Sequence, residues 1–304
     1  MVAVWDASGM ARVTRRRRVT RYAVNLPTRT REDVLAVEEP LQIRLGALPD
    51  ARHPGPELAR DLSVTMRTPG HDFDLVTGFL LGEGIIRGAS DIAMMRYCAG
   101  EDPEGQQTFN VIDVTLASGV PLPPASVERQ VLTTSACGIC GTTSIDDVRK
   151  ALDERAGQSL AADDVRVPLS SLLRMPDELR SAQSLFERTG GVHAAGAFPA
   201  YGGEVGALCV REDVGRHNAV DKVLGWAARE GLLPWRDAVL QVSGRASFEL
   251  VQKAAMAGMP VLAAVGAPSS LAVELADDVG LTLVGFSRGT SCNVYTHPER
   301  IVTD

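Results

Sequence analysis

The pattern of apolar and polar positions is most regular toward the end of the chain. AVLQVSG, PVLAAVGA and LTLVGFS are apolar runs of strand length, and between them SFELVQKAAMAG and SSLAVELADDVG repeat apolar residues at helical spacing. Strand and helix alternate with short loops, which predicts a parallel sheet with right-handed crossovers. Such folds bind ligands beyond the carboxyl ends of their strands, so the loops SGRAS, GAPSS and FSRGTSCN share one candidate edge.

The earlier chain is less regular. EEPLQIRLG (38–46), DLSVTMRTPG (61–70) and TFNVIDVTLA (108–117) read as strands, the second closed by a Pro-Gly turn. HDFDLVTGFLLGEGII predicts a helix capped by Asp72, with Phe73, Val76, Phe79 and Leu80 at helical spacing and an end near Gly82 or Gly84. SSLLRMPDELRSAQSLFERTGG suggests two short helices stopped at Gly190-Gly191. VHAAGAFPAYGGEVGALCVRED reads as a hairpin, and DVGRHNAVDKVLGWAAREGLL becomes a helix near Asn218 or Ala219 and stops at Gly231.

With 304 residues, 45% of them apolar, the chain can bury a large core. No apolar run approaches the roughly 18 to 20 residues of a membrane-spanning helix, which predicts a soluble protein. Five cysteines are sparse and odd in number, which favours a reducing cytosol over a secreted disulfide framework. Charge is unevenly spread. Residues 12–31 hold eight arginines and no acid, so the total of −7 leaves −15 on the remainder. Residues 1–30 therefore read as a basic, flexible arm, suited to an acidic partner or nucleic acid or merely solvated, and residues 31–304 as a single domain. No apolar stretch follows the arginines as an export signal would need, and Met10 is a plausible start.

Candidate chemistry centres on TTSACGICGTTSIDD. Cys137 and Cys140 lie in a Gly-rich loop (133–143), ahead of a helix that Thr143 or Ser144 can cap and whose apolar face is Ile145, Val148, Ala151 and Leu152. Structural zinc wants four ligands, and Cys98, Cys209 and Cys292 are scattered. A zinc deaminase needs H-x-E and P-C-x-x-C, but His193 is followed by two alanines and Cys137 is preceded by Ala136. A mobile loop suits a thiolate that meets two partners in turn, so a persulfide carrier is chemically reasonable. Nucleotide signatures of the P-loop and Gly-x-Gly-x-x-Gly kinds are missing. SGRAS and FSRGTS nevertheless offer backbone N–H groups, hydroxyls and guanidinium groups to an anion at strand ends. In REDVGRHNAVDK, His217 can serve as a proton donor oriented by Asp213 or Asp221, with Arg216 and Asn218 beside it. His193 is a ligand-facing or a core histidine.

These segments, together with VEEPLQIRL, TPGHDFDLVTGFLLGEGII and TGGVHAAG, resemble the formate dehydrogenase accessory sulfurtransferases of the FdhD type, in one order from about Val37 onward. The resemblance implies an α/β fold, a cytidine-deaminase-like layered sandwich with a mixed, largely parallel sheet plus an extra α+β subdomain. It implies a cytoplasmic homodimer that takes persulfide sulfur from a cysteine desulfurase and passes it to the molybdenum cofactor, as bis-molybdopterin guanine dinucleotide, for formate dehydrogenase. Cys137 would carry the sulfur and Cys140 assist. Phe286, Ser287, Arg288, Gly289, Thr290 and Ser291 would bind the cofactor or a GDP-like nucleotide, with no metal held directly by side chains. The rival expectation is a cofactor chaperone or adaptor whose cysteines are incidental.

Overall fold

The computed structural model describes residues 12–49, 57–98, 100–101, 107–123, 160, 164–201 and 206–303. The loop with Cys137 and Cys140, and the helix expected after it, lie outside the described residues.

The arginine-rich segment, expected as a flexible arm, forms a β-hairpin: β1 (Thr14–Ala23) pairs antiparallel with β2 (Leu26–Ala36). Asn25 takes the left-handed conformation at the turn (φ 60°), which asparagine tolerates better than most residues. The hairpin has no apolar alternation because it covers no core, and this hid it in the sequence.

A four-stranded sheet follows, built from β3 (Glu39–Ala47), β4 (Glu57–Arg67), β5 (Ile92–Tyr97) and β6 (Val111–Leu116) in the order β4-β3-β6-β5. Helix α1 (Asp72–Gly82) lies between β4 and β5 in sequence. Its N-cap is His71, at φ 56°, and not Asp72, whose carboxylate is taken by the Arg67 guanidinium.

Helices α2 (Leu169–Ser181) and α3 (Ser184–Thr189) precede the larger sheet, and Gly190 ends α3 in the left-handed conformation. That sheet contains β7 (His193–Pro199), β8 (Cys209–Asp213), β9 (Ala238–Val242), β10 (Val261–Ala264), β11 (Thr282–Arg288) and β12 (Ser291–Val294), in the order β8-β7-β9-β10-β11-β12. Only the β9–β10 and β10–β11 pairs are parallel, so the expected largely parallel sheet is a parallel centre with antiparallel flanks. Short connections at both sides can only reverse the chain.

Helices α4 (Arg216–Arg229), α5 (Phe248–Met256) and α6 (Ser270–Asp278) complete the alternation. Alternate residues of the central strands serve two cores. Leu240, Leu262 and Leu283 join the helices and the smaller sheet on one side, and Val239, Val261 and Val284 pack with Leu172, Met175 and Leu179 of α2 on the other. Both faces being covered explains why these strands read as unbroken apolar runs.

Candidate functional site

Two regions carry the polar chemistry. The first joins α1 to α4. A Cβ added at Gly78 would lie 1.9 Å from the Asp221 carbonyl oxygen, and one at Gly225 would lie 1.8 Å from that of Asp74, so only glycine permits this crossing. Around it the charges neutralise one another. The Lys222 ammonium sits 2.7 Å from Asp213 and donates to the Thr68 carbonyl oxygen (2.8 Å). Asp213 also accepts from the Thr68 and Gly215 amides and the Asn218 side chain. Asp74 holds Arg211 and Arg229, and Asp221 lies 2.7 Å from Lys253. Burial alone would lower the Lys253 pKa, but Asp221 and Glu83 raise it, keeping the ammonium charged.

The second region is the carboxyl edge of β9, β10 and β11. The Val265 amide donates to Val242, Gly266 to Gly244 and Phe286 to Gly266, so the three loops form a shelf joined by backbone hydrogen bonds. Ser243 continues β9 and accepts from the Ala194 amide through its hydroxyl. A cavity of about 640 Å³ opens beside the shelf, with Ser243, Val265, His193, Val214 and Arg288 on its wall. Its opposite side comes from α2 and α3, where the Arg180 guanidinium lies 4.1 Å from the Phe186 ring centroid and both residues line the space. His193 is held toward its neutral form by burial, then by the neighbouring Arg216 guanidinium. Arginines, a neutral imidazole and backbone amides at strand ends suit an anionic ligand with an apolar part.

The model of the FdhD/NarQ family matches residues 36–302. The chain belongs to the FdhD/NarQ family. It is 53% identical over 290 residues to the sulfur carrier protein FdhD of Nocardia farcinica, covering 95% of each chain. It is 51% identical over 275 residues to that of Mycobacterium tuberculosis, covering 90% of this chain and 93% of the other. A crystal structure of a candidate formate dehydrogenase accessory protein from Desulfotalea psychrophila superposes with a TM-score of 0.66 at 24% identity, covering 96% and 100% of the two chains, a likeness of fold alone.

Within this FdhD/NarQ chain, the predicted cofactor segment is a strand end, a bulge and a turn, where the sequence placed a strand end running into a loop. Phe286, Ser287 and Arg288 belong to β11, Gly289 and Thr290 make the turn, and Ser291 starts β12. Phe286 is exposed and adopts φ 53°, an uncommon conformation for a bulky residue, at the irregularity that breaks the register with β12. Arg288 reaches the cavity, whereas Ser287 points inward, fully buried and without a hydrogen-bond partner among the described residues. Arg245 is exposed, and the Ser247 hydroxyl lies 3.4 Å from His217 Nε2. Neither Asp213 nor Asp221 orients His217, because each is committed to a buried lysine. The carboxylate near His217 is Glu249, at 3.8 Å. Burial alone would raise the Glu249 pKa, but hydrogen bonds from His217, Ser247 and its own backbone bring it to about 2. The α2–α3 wall was not anticipated as part of a site. Its signal was the spacing of Leu172, Met175 and Leu179, which fixes one face of α2 to the sheet beside the strand ends.

The three cysteines among the described residues are poor thiolates. Burial pushes Cys209 up to about 12 and raises Cys292, and Cys98 is raised by burial and then by Asp113. Among the described residues no group of three or more His, Cys, Asp or Glu side chains is placed to hold a metal ion.

Proposed function

We propose that this chain is a sulfur carrier protein acting in formate dehydrogenase maturation, with Cys137 as the carrying residue. The observation that carries the reading is the convergence of Arg288, His193 and Ser243 on one cavity, in a chain about half identical to proteins named for sulfur carriage. Support also comes from the other cysteines: three of the five are held as thiols, which leaves Cys137 and Cys140 for thiolate chemistry.

In this reading the Cys137 thiolate attacks the terminal sulfur of a persulfide on a cysteine desulfurase. The donor's S–S bond breaks as a new one forms, and the desulfurase leaves as a thiolate, so no oxidant is consumed. Cys140 assists delivery: its thiolate attacks the inner sulfur of the persulfide, the terminal sulfur leaves as hydrosulfide for the acceptor, and the Cys137–Cys140 disulfide that remains is reopened by a thiol reductant. The acceptor is the molybdenum cofactor, bound as cargo in its bis-molybdopterin guanine dinucleotide form. Arg288, with Arg245 and the shelf amides, holds its phosphates, and the segment from Phe286 to Ser291 binds its guanine dinucleotide part or a GDP-like ligand. The reaction fits a cytoplasmic homodimer, and no helix among the described residues is long and apolar enough to cross a membrane. Helices on both faces of the larger sheet, with the four-stranded unit added, support the cytidine-deaminase-like sandwich.

Intact mass after incubation with a desulfurase and cysteine tests the carrier step. Wild type is expected to gain about 32 Da, the mass of one sulfur, and Cys137→Ala to gain none. No gain on wild type removes the carrier and leaves a cofactor-binding adaptor.

A further inference from the structure

The α2–α3 side of the cavity carries polar groups that the fold does not use. Gln183 is 4% exposed and lines the space, yet its side-chain amide has no hydrogen-bond partner among the described residues. It stands at the N-cap of α3, where a side chain ordinarily takes up a free amide of the first turn. That task belongs to Glu212 of β8, whose carboxylate accepts from the Leu185 and Phe186 amides at 2.8 and 2.7 Å. A buried amide left without a partner costs stability until something supplies one.

Asp177 and Arg180 lie three apart on α2 and also line the cavity, and neither has an ion-pair partner among the described residues. The Arg180 guanidinium rests over the Phe186 ring, which holds the planar fork as a platform beside the space. A platform, an amide and a carboxylate along one wall match a flat heteroaromatic ring with donors and acceptors on its edge. Such rings stack on guanidinium or aromatic planes and are read at their edges. Across the cavity the shelf offers Arg288 and Ser243 to an anion, so the ring would carry phosphate. A space of about 640 Å³ is of the size that holds a small-molecule ligand.

We propose that this wall selects a guanine base. The ring stacks on Arg180, the Asp177 carboxylate accepts from the base's N1–H and 2-amino group, and the Gln183 amide donates to its O6. This rests on the preceding reading of the shelf as a phosphate site and names how the base at the other end of the ligand is chosen. The carboxylate makes the choice, because it only accepts and therefore repels the N1 lone pair of adenine. The amide can turn to donate or to accept, so it adds affinity without discriminating.

The test is calorimetry on the full chain with GDP, ADP, inosine diphosphate and inorganic pyrophosphate, with circular dichroism melting to confirm that each variant folds. Wild type is expected to bind GDP about 10- to 100-fold more tightly than ADP, with inosine diphosphate, which lacks the 2-amino group, in between. Asp177→Asn is expected to lose that preference through weaker GDP binding, with pyrophosphate binding unchanged. Arg180→Ala is expected to weaken GDP and ADP alike by about tenfold and to leave pyrophosphate unchanged. Equal binding of GDP and ADP by wild type, or a GDP preference that survives Asp177→Asn, overturns the base site while leaving the phosphate shelf. Weaker pyrophosphate binding in Arg180→Ala makes that arginine a phosphate ligand and overturns the platform. Binding of neither GDP nor pyrophosphate by wild type overturns the shelf reading and the base site together.

Discussion

At the α1–α4 joint, Lys222 and Asp213 are 1% and 0% exposed with their charges 2.7 Å apart. At the strand-end shelf, Arg245 and Arg288 stand in solvent with no carboxylate partner among the described residues. Both regions are dense in charge and rich in glycine, yet in one the charges are spent on each other and in the other they are left available. Buried charges must be paired and hydrogen-bonded to be tolerated, and the joint meets that condition with backbone carbonyls and amides as well as counter-ions. The shelf pays no such cost, because its arginines stay hydrated until a ligand arrives. Charge density alone therefore does not locate a site; availability does.

Breaking the buried pair is expected to have the largest effect. Lys222→Met strands Asp213 in the interior and should destabilise the fold by about 3–5 kcal/mol in urea unfolding, with little change in the ligand affinity of what remains folded. Gly78→Ala comes next, at about 3 kcal/mol, since α1 and α4 must separate to admit a methyl group against a backbone oxygen. Arg288→Ala reverses the pattern. Unfolding should be unchanged, while binding of GDP or the cofactor weakens by about 1.5–3 kcal/mol in calorimetry, the value of a charge-assisted hydrogen bond. Equal stability losses at Lys222 and Arg288 would erase the distinction between the two regions.

The smallest effect concerns Glu249, which stands between them. Its carboxyl is depressed from 4.5 to about 2, so its contribution is complete above 4.5 and is lost as pH falls through about 2. Unfolding measured across that window should show wild type losing its advantage over Glu249→Gln. The carboxylate is 39% exposed, and solvent screening keeps the difference small.

Much of the fold was legible because its central strands are buried on both faces and separated by short helices, which leaves an unambiguous apolar rhythm. The strand-end shelf was legible through the same rhythm, since strand ends fix where loops must gather. Three features were not. The hairpin at residues 14–36 has no fully buried residue and shows no apolar alternation. Asp213 and Asp221 sit in a run that reads equally well as a solvated helix face, and only long-range partners such as Thr68 and Lys253 give them their role. Phe286 and Ser287 read both as the end of the strand LTLVGFS and as the start of a loop, and Arg288 as loop, because the bulge interrupts the strand there.

The glycine crossing has a consequence for reading variation in this molecule. At positions 78 and 225 nineteen of the twenty amino acids are vetoed by a carbonyl oxygen, and this veto is as strict as any that chemistry imposes on a nucleophile. A survey of tolerated substitutions would rank these two positions beside any residue that reacts, although they do no chemistry. What they keep in place is the backbone-to-backbone approach of α1, which lies in sequence between two strands of the four-stranded sheet, to α4, which follows a strand of the six-stranded one.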